Sequence, residues 1–319
     1  MYDIIKHRRW YYILSSLIIV PGLLIMLYSM LTIGTPFRLS IDFTGGSLWE
    51  LRFSKPIAPG EIVEFFHSQG IPDANVHTIG DENTLVIRTK EITPEEKVAL
   101  MSAMEKQFGE KPEELQFRAV GPTVGKEVTR TAFIAVIMAS LVILGFIIWA
   151  FRQVDHPVRY GVSAIVAMIH DVLVASAFFS LMGFISGWEV DALFLTALLT
   201  VIGFSVQDTI VVFDRIRENS RRRKGESFEV IANRSLLETV QRSVATQINA
   251  MFVMIALLLF GGVTIRQFIA TMFIGMLSGT YSSIFIATPL LVSWQNHEGV
   301  FGWFQRDKKK SQSKKAATA

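Results

Sequence analysis

Residues 10–37 read WYYILSSLIIVPGLLIMLYSMLTIGTPF and contain neither an acidic nor a basic side chain. An uncharged apolar stretch of about 18 residues or more is long enough to cross the hydrocarbon core of a bilayer as a helix. Three further stretches of this kind follow, at 131–151, 243–265 and 267–296. The chain of 319 residues is 50% hydrophobic, and its mean hydropathy is +0.40. These values indicate a membrane protein and exclude a soluble enzyme, a disordered chain and a DNA-binding domain.

The apolar pattern predicts six membrane-spanning helices, with one large connection between the first two. Lys6, Arg8 and Arg9 precede the first helix, whose long apolar run lacks a small-residue cleavage site and is therefore typical of an uncleaved anchor. The predicted fold class is an α-helical polytopic membrane protein with an extracytoplasmic domain at 35–128. The helices are predicted at 10–33, 129–151, 160–183, 192–213, 242–261 and 267–292, the last five forming one region at 129–292.

Basic side chains are distributed unevenly along this arrangement. Residues 38–127 contain ten basic and fifteen acidic side chains and have a net charge of −5, whereas the remainder contains 21 basic and 13 acidic side chains and has a net charge of +8. The positive charge lies in the loops and tails on one face of the membrane, so both termini are predicted to be cytoplasmic. The N-terminal segment is 1–9. The basic tail at 293–319 is expected to be a solvated topology anchor or a contact for anionic lipid or the ribosome.

Residues 35–128 show the patterns of a folded α+β domain. Strands are predicted where apolar and polar residues alternate, and helices where proline and acidic residues open an apolar run. The order β-α-β-β-α-β is that of a split βαβ, ferredoxin-like unit. Its predicted elements are a strand at 47–53, a helix opening at 59–61, a hairpin of strands 75–79 and 84–89 joined through 80–83, a helix at 93–108 and a strand at 115–120.

Ionisable side chains interrupt three of the predicted spans. His170 and Asp171 lie near the middle of helix 3, Asp208 lies roughly 10 Å inside the cytoplasmic edge of helix 4, and Arg242 opens helix 5. An aspartate in hydrocarbon costs about 2.5–3.5 kcal/mol, so it is expected to face the bundle interior and to find a partner or a proton. Two interpretations stay open. The aspartates hold helices together, or they form a proton relay in which Asp208 and Asp171 gain and release protons with His170 in support.

Arg242 is predicted to be the partner that switches Asp208, because both lie on the cytoplasmic side of the membrane. Its approach would favour the charged carboxylate, and its withdrawal would favour the protonated form. Gln207, Thr209, Gln247 and Asn249 are predicted to line the same polar path. Ordinary hydrogen bonding between helices is the alternative role for these amide and hydroxyl groups, and it is the favoured one for Asn249.

The sequence contains no signature of a cofactor site or of an enzyme. The absence of cysteine excludes disulfides and cysteine metal ligands, and no HExxH or GxSxG motif occurs. Gly45-Gly46 lacks the Lys-Ser/Thr ending of a phosphate-binding loop and is predicted to lie outside the cytosol. We therefore expect no cofactor, no metal, no nucleic-acid partner and no enzymatic activity.

Five short motifs occur in order along nearly the whole chain. They are IDFTGG at 41–46, VGPTVG at 120–125, HDV at 170–172, GFSVQDTIVVFDRIREN at 203–219 and GTYSS at 279–283. Together they resemble the signatures of the SecD/SecF family of protein-export membrane proteins, within the resistance–nodulation–division superfamily. The motif in helix 4 is the most specific of the five.

This resemblance implies a role in protein export at the bacterial inner (plasma) membrane. The family pairs SecD and SecF subunits into a twelve-span unit that associates with the SecYEG channel and often with YajC. That unit uses the proton motive force to draw unfolded preproteins outward after SecA has pushed them in, so these proteins and membrane lipid are the expected partners. In the family the aspartate of helix 4 and an arginine early in helix 5, here Asp208 and Arg242, serve proton coupling. The chain departs from the family pattern at Gln207, Glu238, Ser243, Gln247 and Asn249.

Two other functions remain open at this stage. A half-size exporter of lipid or small molecules from the same superfamily would need a roomy apolar cleft and a much larger outside region. A passive scaffold would use its buried charges only as contacts between helices. The small size of the domain at 35–128 favours protein export over the first of these.

Overall fold

The structure is a computed structural model that describes residues 3–79 and 82–296. Residues 1–2 of the predicted N-terminal segment, residues 80–81 of the predicted hairpin and residues 297–319 of the basic tail lie outside the described residues. The chain forms two compact units. A membrane unit contains the residues up to Arg38, Ala135–Trp188 and the residues from Leu193 onward, and an outer unit contains Leu39–Ile134 and Glu189–Ala192.

The helices and strands follow one another in a simple order. After a short 3-10 turn at Ile5–His7 they are α1 (Arg8–Ile33), α2 (Ile41–Thr44), β1 (Gly46–Arg52), α3 (Pro59–Ser68), β2 (Asn75–Thr78), β3 (Thr84–Thr89), α4 (Pro94–Phe108), β4 (Glu113–Val120), α5 (Pro122–Ala150), α6 (Pro157–Ser186), α7 (Ala192–Arg222), α8 (Phe228–Phe260), α9 (Val263–Ser282) and α10 (Thr288–Gln295). Within the described residues, α1, α5, α6, α7, α8 and the continuous run α9–α10 are long and apolar enough to cross a membrane. The prediction of six spans is confirmed.

Each of the six spanning helices extends beyond its predicted limits, and α7 and α8 do so by the most residues. α7 continues to Arg222 rather than ending at 213, and α8 begins at Phe228 rather than at 242. Hydropathy marks only the part of a helix that lies in hydrocarbon, whereas the helix itself continues through polar residues until a poor helix former interrupts it. Arg242 therefore lies well inside α8 and does not open it.

The core of the membrane unit is formed around α6, which packs against α1, α9 and α10. Small residues allow the closest approaches: a Cβ atom at Gly22 of α1 would lie 2.1 Å from the Cβ of Ala177 in α6. On α9, a Cβ at Gly275 would lie 2.2 Å from Cγ2 of Val201 in α7. Backbones that approach so closely gain van der Waals contact, which is a main source of helix association in membranes.

The last span changes its helical pitch before it ends. Residues Ser283–Ala287 form a π-helical turn between α9 and α10. Pro289 follows directly and has no N–H group to donate to the preceding turn, which is one cause of such irregularity. The Thr288 hydroxyl donates to the carbonyl oxygen of Ser283 at 3.2 Å and satisfies one acceptor of this turn.

The outer unit confirms the predicted ferredoxin-like arrangement. Its four strands form an antiparallel sheet in the order β2-β3-β1-β4, so the two central strands are β3 and β1. α3 and α4 connect the strands as the split βαβ pattern requires. The core contains Trp49, Leu51, Phe65, Phe66 and Ile87, all of them at most 1% exposed.

Local sequence signals fix the ends of α4. Thr93 and Glu96 form a reciprocal capping box at its start, with Pro94 at the first helical position. Gly109 ends the helix in the left-handed region, with φ 74°. The short helix α2, at Ile41–Thr44, was not predicted, because four residues are too few to give an apolar period.

Candidate functional site in the membrane unit

Asp171 is the centre of a buried polar cluster. Its side chain is fully buried in α6 and accepts hydrogen bonds from three serine hydroxyls on two other helices. Ser205 Oγ of α7 donates at 2.5 Å, and Ser278 and Ser282 of α9 each donate at 2.6 Å. Ser278 and Ser282 are four residues apart and therefore share one face of α9. We call Asp171 and these three serines the serine cage.

His170 connects the serine cage to the first span. Its Nδ1 lies 3.0 Å from Oδ1 of Asp171, and its Nε2 lies 2.8 Å from Oγ of Ser15 in α1. The imidazole ring stacks against Tyr281, with a distance of 6.0 Å between ring centroids. The Tyr281 hydroxyl in turn donates to the carbonyl oxygen of Tyr11 at 2.7 Å. The predicted pair His170–Asp171 therefore joins α1, α6, α7 and α9.

Asp208 is the second buried carboxyl group and lies close to the first along α7. It is 6% exposed, and its Oδ2 accepts a hydrogen bond from Nε2 of Gln247 in α8 at 2.7 Å. Ser205 of the serine cage precedes it by three residues, a spacing that places both on one face of the helix. The Thr209 hydroxyl donates to the carbonyl oxygen of Ser205 at 3.1 Å. Ser205 therefore contacts Asp171 and lies one helical turn before Asp208, which contacts Gln247. We call these four side chains the polar path.

Gln247 can serve both protonation states of Asp208. Its Oε1 is buried and has no hydrogen-bond partner within the described residues. The oxygen and nitrogen of an amide differ by a flip, so the same side chain can donate to a carboxylate or accept from a protonated carboxyl. A buried acceptor without a partner costs about 1–3 kcal/mol. This cost would be removed if Oε1 of Gln247 accepted a hydrogen bond from a protonated Asp208.

The structure does not bring Arg242 to Asp208. The Arg242 side chain is exposed on α8, and it has no ion-pair or hydrogen-bond partner in the part of the chain that the structure describes. Gln207 is also exposed, whereas Thr209 is buried. Glu238, one of the departures from the family pattern, contacts the C-terminal end of α7: its Oε2 accepts from Arg215 at 2.5 Å and from Asn219 at 2.9 Å.

Sequence reasoning did not identify Ser15 or the serines of the cage. Serine is common in membrane helices and has no charge, so its hydropathy gives no signal of a functional contact. A usable signal was the pair Ser278 and Ser282, which shares one face of its helix opposite a span that contains an aspartate. Ser205 lies inside the motif at 203–219, but the motif does not say which of its residues face Asp171.

The outer unit contains a second cluster of charges, around Asp42 of the motif at 41–46. Asp42 is 7% exposed, and its two oxygens accept from Nη2 of Arg118 in β4 at 2.7 Å and from the backbone N–H of Ala192 at 3.0 Å. The backbone N–H of Ser40 donates to the Val190 carbonyl at 2.9 Å. Ala192 is the first residue of α7, so Asp42 supplies an acceptor to the start of that helix.

Arg88 of β3 strengthens this cluster through an ion pair with Glu189. Burial lowers the pKa of Arg88 to about 10, and the nearby Asp42 carboxylate opposes that decrease. The guanidinium therefore stays charged at neutral pH, and it attaches residues 189–192 to the sheet. Among the residues that the structure describes, no three His, Asp or Glu side chains are grouped so as to hold a metal ion.

Comparison with known proteins identifies the family. The family model described as "Protein export membrane protein SecD/SecF, C-terminal" matches residues 100–297, and the "SecD/SecF GG Motif" matches residues 31–57. The chain is 48% identical over 310 residues to the protein translocase subunit SecF of Thermobaculum terrenum, and this match covers 93% of the chain and 95% of that relative. It is 47% identical over 312 residues to the SecF of Anaerolinea thermophila, with 97% and 99% covered.

Longer relatives contain this fold as one part. The crystal structure of SecDF from Thermus thermophilus, described as a translocon-associated membrane protein, matches with a TM-score of 0.77 and 30% identity. The match covers 92% of this chain but only 39% of the SecDF chain. The SecDF of Bacillus subtilis is 32% identical, and the match covers 93% of this chain and 38% of that relative. The resemblance predicted from the five motifs is confirmed, and the chain belongs to the SecD/SecF family of protein export membrane proteins.

Proposed function

We propose that this chain is the SecF-type subunit of a preprotein translocase in a bacterial inner membrane, where it pairs with a SecD subunit. Relatives that match nearly full length are named protein translocase subunit SecF, and the longer matches are named SecDF. In this role the pair uses the proton motive force to complete export of preproteins through SecYEG, after SecA has acted and together with YajC. The role is accessory and includes no enzymatic step.

The observation that supports this proposal most strongly is the buried polar path with two carboxyl groups, Asp171 and Asp208. Two aspartates inside a membrane-spanning bundle are costly unless they are paired or functional. A proton that crosses the membrane supplies about 2.3 kcal/mol per 100 mV, which is enough to shift a helix arrangement that depends on a few hydrogen bonds. Proton uptake at Asp208 would change its contact with Gln247 and thereby the packing of α7 against α8.

Arg242 has a place in the second state of this switch. Ser243 is buried next to it, on the same face of α8 as Gln247. Gln247 and Arg242 are five residues apart, which is about 140° around the helix axis and roughly 7.5 Å along it, so α8 would have to rotate and shift along its axis to exchange Gln247 for Arg242. In the state described here Asp208 contacts a neutral amide, and in the second state it would contact a cation.

Asp42 restrains the first residue of α7 within the outer unit, because it accepts a hydrogen bond from the backbone N–H of Ala192. In the proposed role the outer unit supports an emerging unfolded chain. The edge strand β4, with eight residues and mostly exposed side chains, is the surface we assign to that contact.

The proposed topology places both termini in the cytoplasm and the outer unit on the opposite side. The end of α7 and the loop that follows it contain a cluster of basic side chains on the proposed cytoplasmic side, Arg221, Arg222, Arg223 and Lys224. Large exposed apolar side chains on α5, including Phe133, Phe146 and Trp149, provide the surface for the SecD subunit or for lipid.

Two measurements test this function. Co-purification from native membranes, with identification of the attached chains, is expected to recover SecD and SecYEG. The substitution Asp208→Asn is expected to leave expression and SecD binding intact and to abolish the proton-dependent increase in preprotein release. Asp214→Asn on the same helix is the control, since Asp214 is largely exposed and pairs with Arg217.

Each alternative gives a different result in these measurements. Lost assembly with unchanged release would favour a scaffold in which Asp208 only joins helices. Unchanged release with intact assembly would remove Asp208 from the mechanism. Proton-dependent efflux of lipid or a small molecule, without an effect on preprotein release, would favour the exporter.

A further inference from the structure

A large apolar cavity lies between α1, α6 and α9 in the membrane unit. Its volume is about 480 Å³, within the range of ligand sites in proteins. Its α1 wall extends from Leu14 to Ile25, and its α6 wall from His170 to Leu181. The wall is almost entirely apolar, and its polar lining residues are Ser15, His170, Ser278 and Tyr281.

A second, smaller cavity continues the same seam between α1 and α6 towards the end of α1 that leads into the outer unit. Its volume is about 200 Å³, and its wall is more polar than that of the first. Its polar lining residues include Ser29, Thr32, Ser180 and Arg38. The two cavities therefore present an apolar chamber followed by a polar one along a single groove.

The length of the apolar chamber along α6 matches one leaflet of a bilayer. Its α6 wall begins at His170, near the middle of α6, and ends at Leu181, a rise of roughly 16 Å at 1.5 Å per residue. The hydrocarbon core of a bilayer is about 30 Å thick, so this length is close to half of it. The polar chamber then lies at the depth of the headgroups, where Tyr28 and Trp188 in its wall are typical of the membrane interface.

Arg38 has the chemistry of a phosphate ligand at that depth. Its side chain is exposed, and within the described residues it has no ion-pair or hydrogen-bond partner. Its Nη1 lies 3.9 Å from the point where a Cβ atom of Gly187 would stand, so it lies over the end of α6. Guanidinium groups bind phosphate oxygens in a bidentate geometry and are weakly hydrated, which suits a headgroup site.

We propose that this groove binds one phospholipid of the leaflet on the side of the outer unit. One acyl chain fills the apolar chamber between α1, α6 and α9, and the phosphate contacts Arg38 in the polar chamber. The acyl chain would cover Ser15 and His170 and so keep water away from the serine cage. The proposal depends on the two cavities and Arg38, and not on the proposed export function.

The test is native mass spectrometry of the full chain with its co-purified partners in mild detergent, followed by titration with phosphatidylglycerol after lipid removal. We expect one tightly retained phospholipid per chain. Arg38→Gln removes a charge-assisted contact and is expected to weaken phosphatidylglycerol binding about tenfold. Leu181→Trp places a large ring in the apolar chamber and is expected to abolish retention.

Matched controls separate this site from general lipid adhesion. Arg266→Gln removes another exposed arginine, and Ile185→Trp adds a ring at a position 68% exposed that lines neither cavity. Both are expected to retain the lipid. Equal loss in these variants, or unchanged binding in Arg38→Gln and Leu181→Trp, would overturn the proposal.

Two other occupants have their own readouts. Inorganic phosphate at millimolar concentration is expected not to displace the lipid, and displacement by phosphate alone would show an anion site instead of a lipid site. Since the chain contains no cysteine, Leu181→Cys provides a single cross-linking position. Efficient cross-linking from it to a partner subunit would show that a protein helix covers the groove and would overturn the proposal.

Discussion

Replacing single serines of the cage by alanine tests what holds Asp171 in the membrane unit. Three hydroxyl groups, those of Ser205, Ser278 and Ser282, lie 2.5–2.6 Å from the carboxyl oxygens. Hydroxyls can donate to both oxygens of a carboxylate, so we predict that they solvate a charged Asp171 side chain. Ser282→Ala removes one of these donors and leaves the helix backbone unchanged.

The expected magnitude follows from the charge of the acceptor. A hydrogen bond to an ionised group contributes about 1.5–3 kcal/mol, whereas couplings between neutral side chains in a membrane protein average about 0.6 kcal/mol. We therefore expect Ser278→Ala and Ser282→Ala each to lower the free energy of unfolding by about 1.5–3 kcal/mol. Their effects should not add, because both serines contact the same carboxyl group.

The assay is reversible unfolding of the purified chain by denaturing detergent, followed by a double-mutant cycle with Asp171→Asn. The control is Ser163→Ala in α6, since the Ser163 hydroxyl is fully buried and has no partner among the described residues. That substitution is expected to be neutral or stabilising. If Ser282→Ala costs no more than Ser163→Ala, or if its cost is unchanged in the Asp171→Asn background, the reasoning about a charged acceptor is refuted.

Three further predictions concern other parts of the chain. Asp42→Ala removes an acceptor for the backbone N–H of Ala192, so hydrogen exchange at Ala192 is expected to become faster by at least about tenfold. Unchanged exchange would show that the contact does not restrain the start of α7. Gly22→Leu forces apart the backbones of α1 and α6 at Ala177 and is expected to lower the free energy of unfolding in detergent by about 1–3 kcal/mol. Gly145→Leu is the control because no atom of the described residues lies near that position, and an equal loss of stability there would contradict the packing argument. The Arg234 guanidinium beside Glu226 holds the pKa of that carboxyl below its ordinary value of 4.5. The stability that Glu226 contributes is therefore present above pH 4.5 and is lost as the pH falls. Glu226→Gln should lower the stability of the chain at pH 7 and leave it equal to that of the parent chain in strong acid. A loss of stability that persists in acid would contradict this pairing.

The arrangement of elements could be predicted from the sequence because it depends on periodicity and on length. Four uncharged stretches, including 10–37, are too long for anything but membrane spans, and the domain at 35–128 shows its strands through alternation. The capping box of Thr93 and Glu96 is local and is therefore visible in the sequence. Such features need no knowledge of which helices become neighbours.

The contacts of the site could not be predicted, because they depend on helix rotation and on neighbours distant in sequence. Asp171 was assigned to the path, but its three serine donors lie 34 to 111 residues away along the chain. Hydropathy does not mark the start of α8 at Phe228, and it does not show which side chains of α8 face α7. As a result Gln247, expected only to line the path, is the side chain that contacts Asp208.

Infrared difference spectroscopy of the carboxyl group at position 208, in membrane vesicles that contain the chain and its SecD subunit, tests the central claim most directly. The band is assigned by its loss in Asp208→Asn, and Asp171→Asn identifies the neighbouring group. In this experiment the pH on the cytoplasmic side is held constant while a proton gradient is imposed and then collapsed. Our account predicts that the protonated fraction of Asp208 changes with the gradient. A protonated fraction that follows cytoplasmic bulk pH alone, as for a free aspartate near pH 3.9, would contradict it.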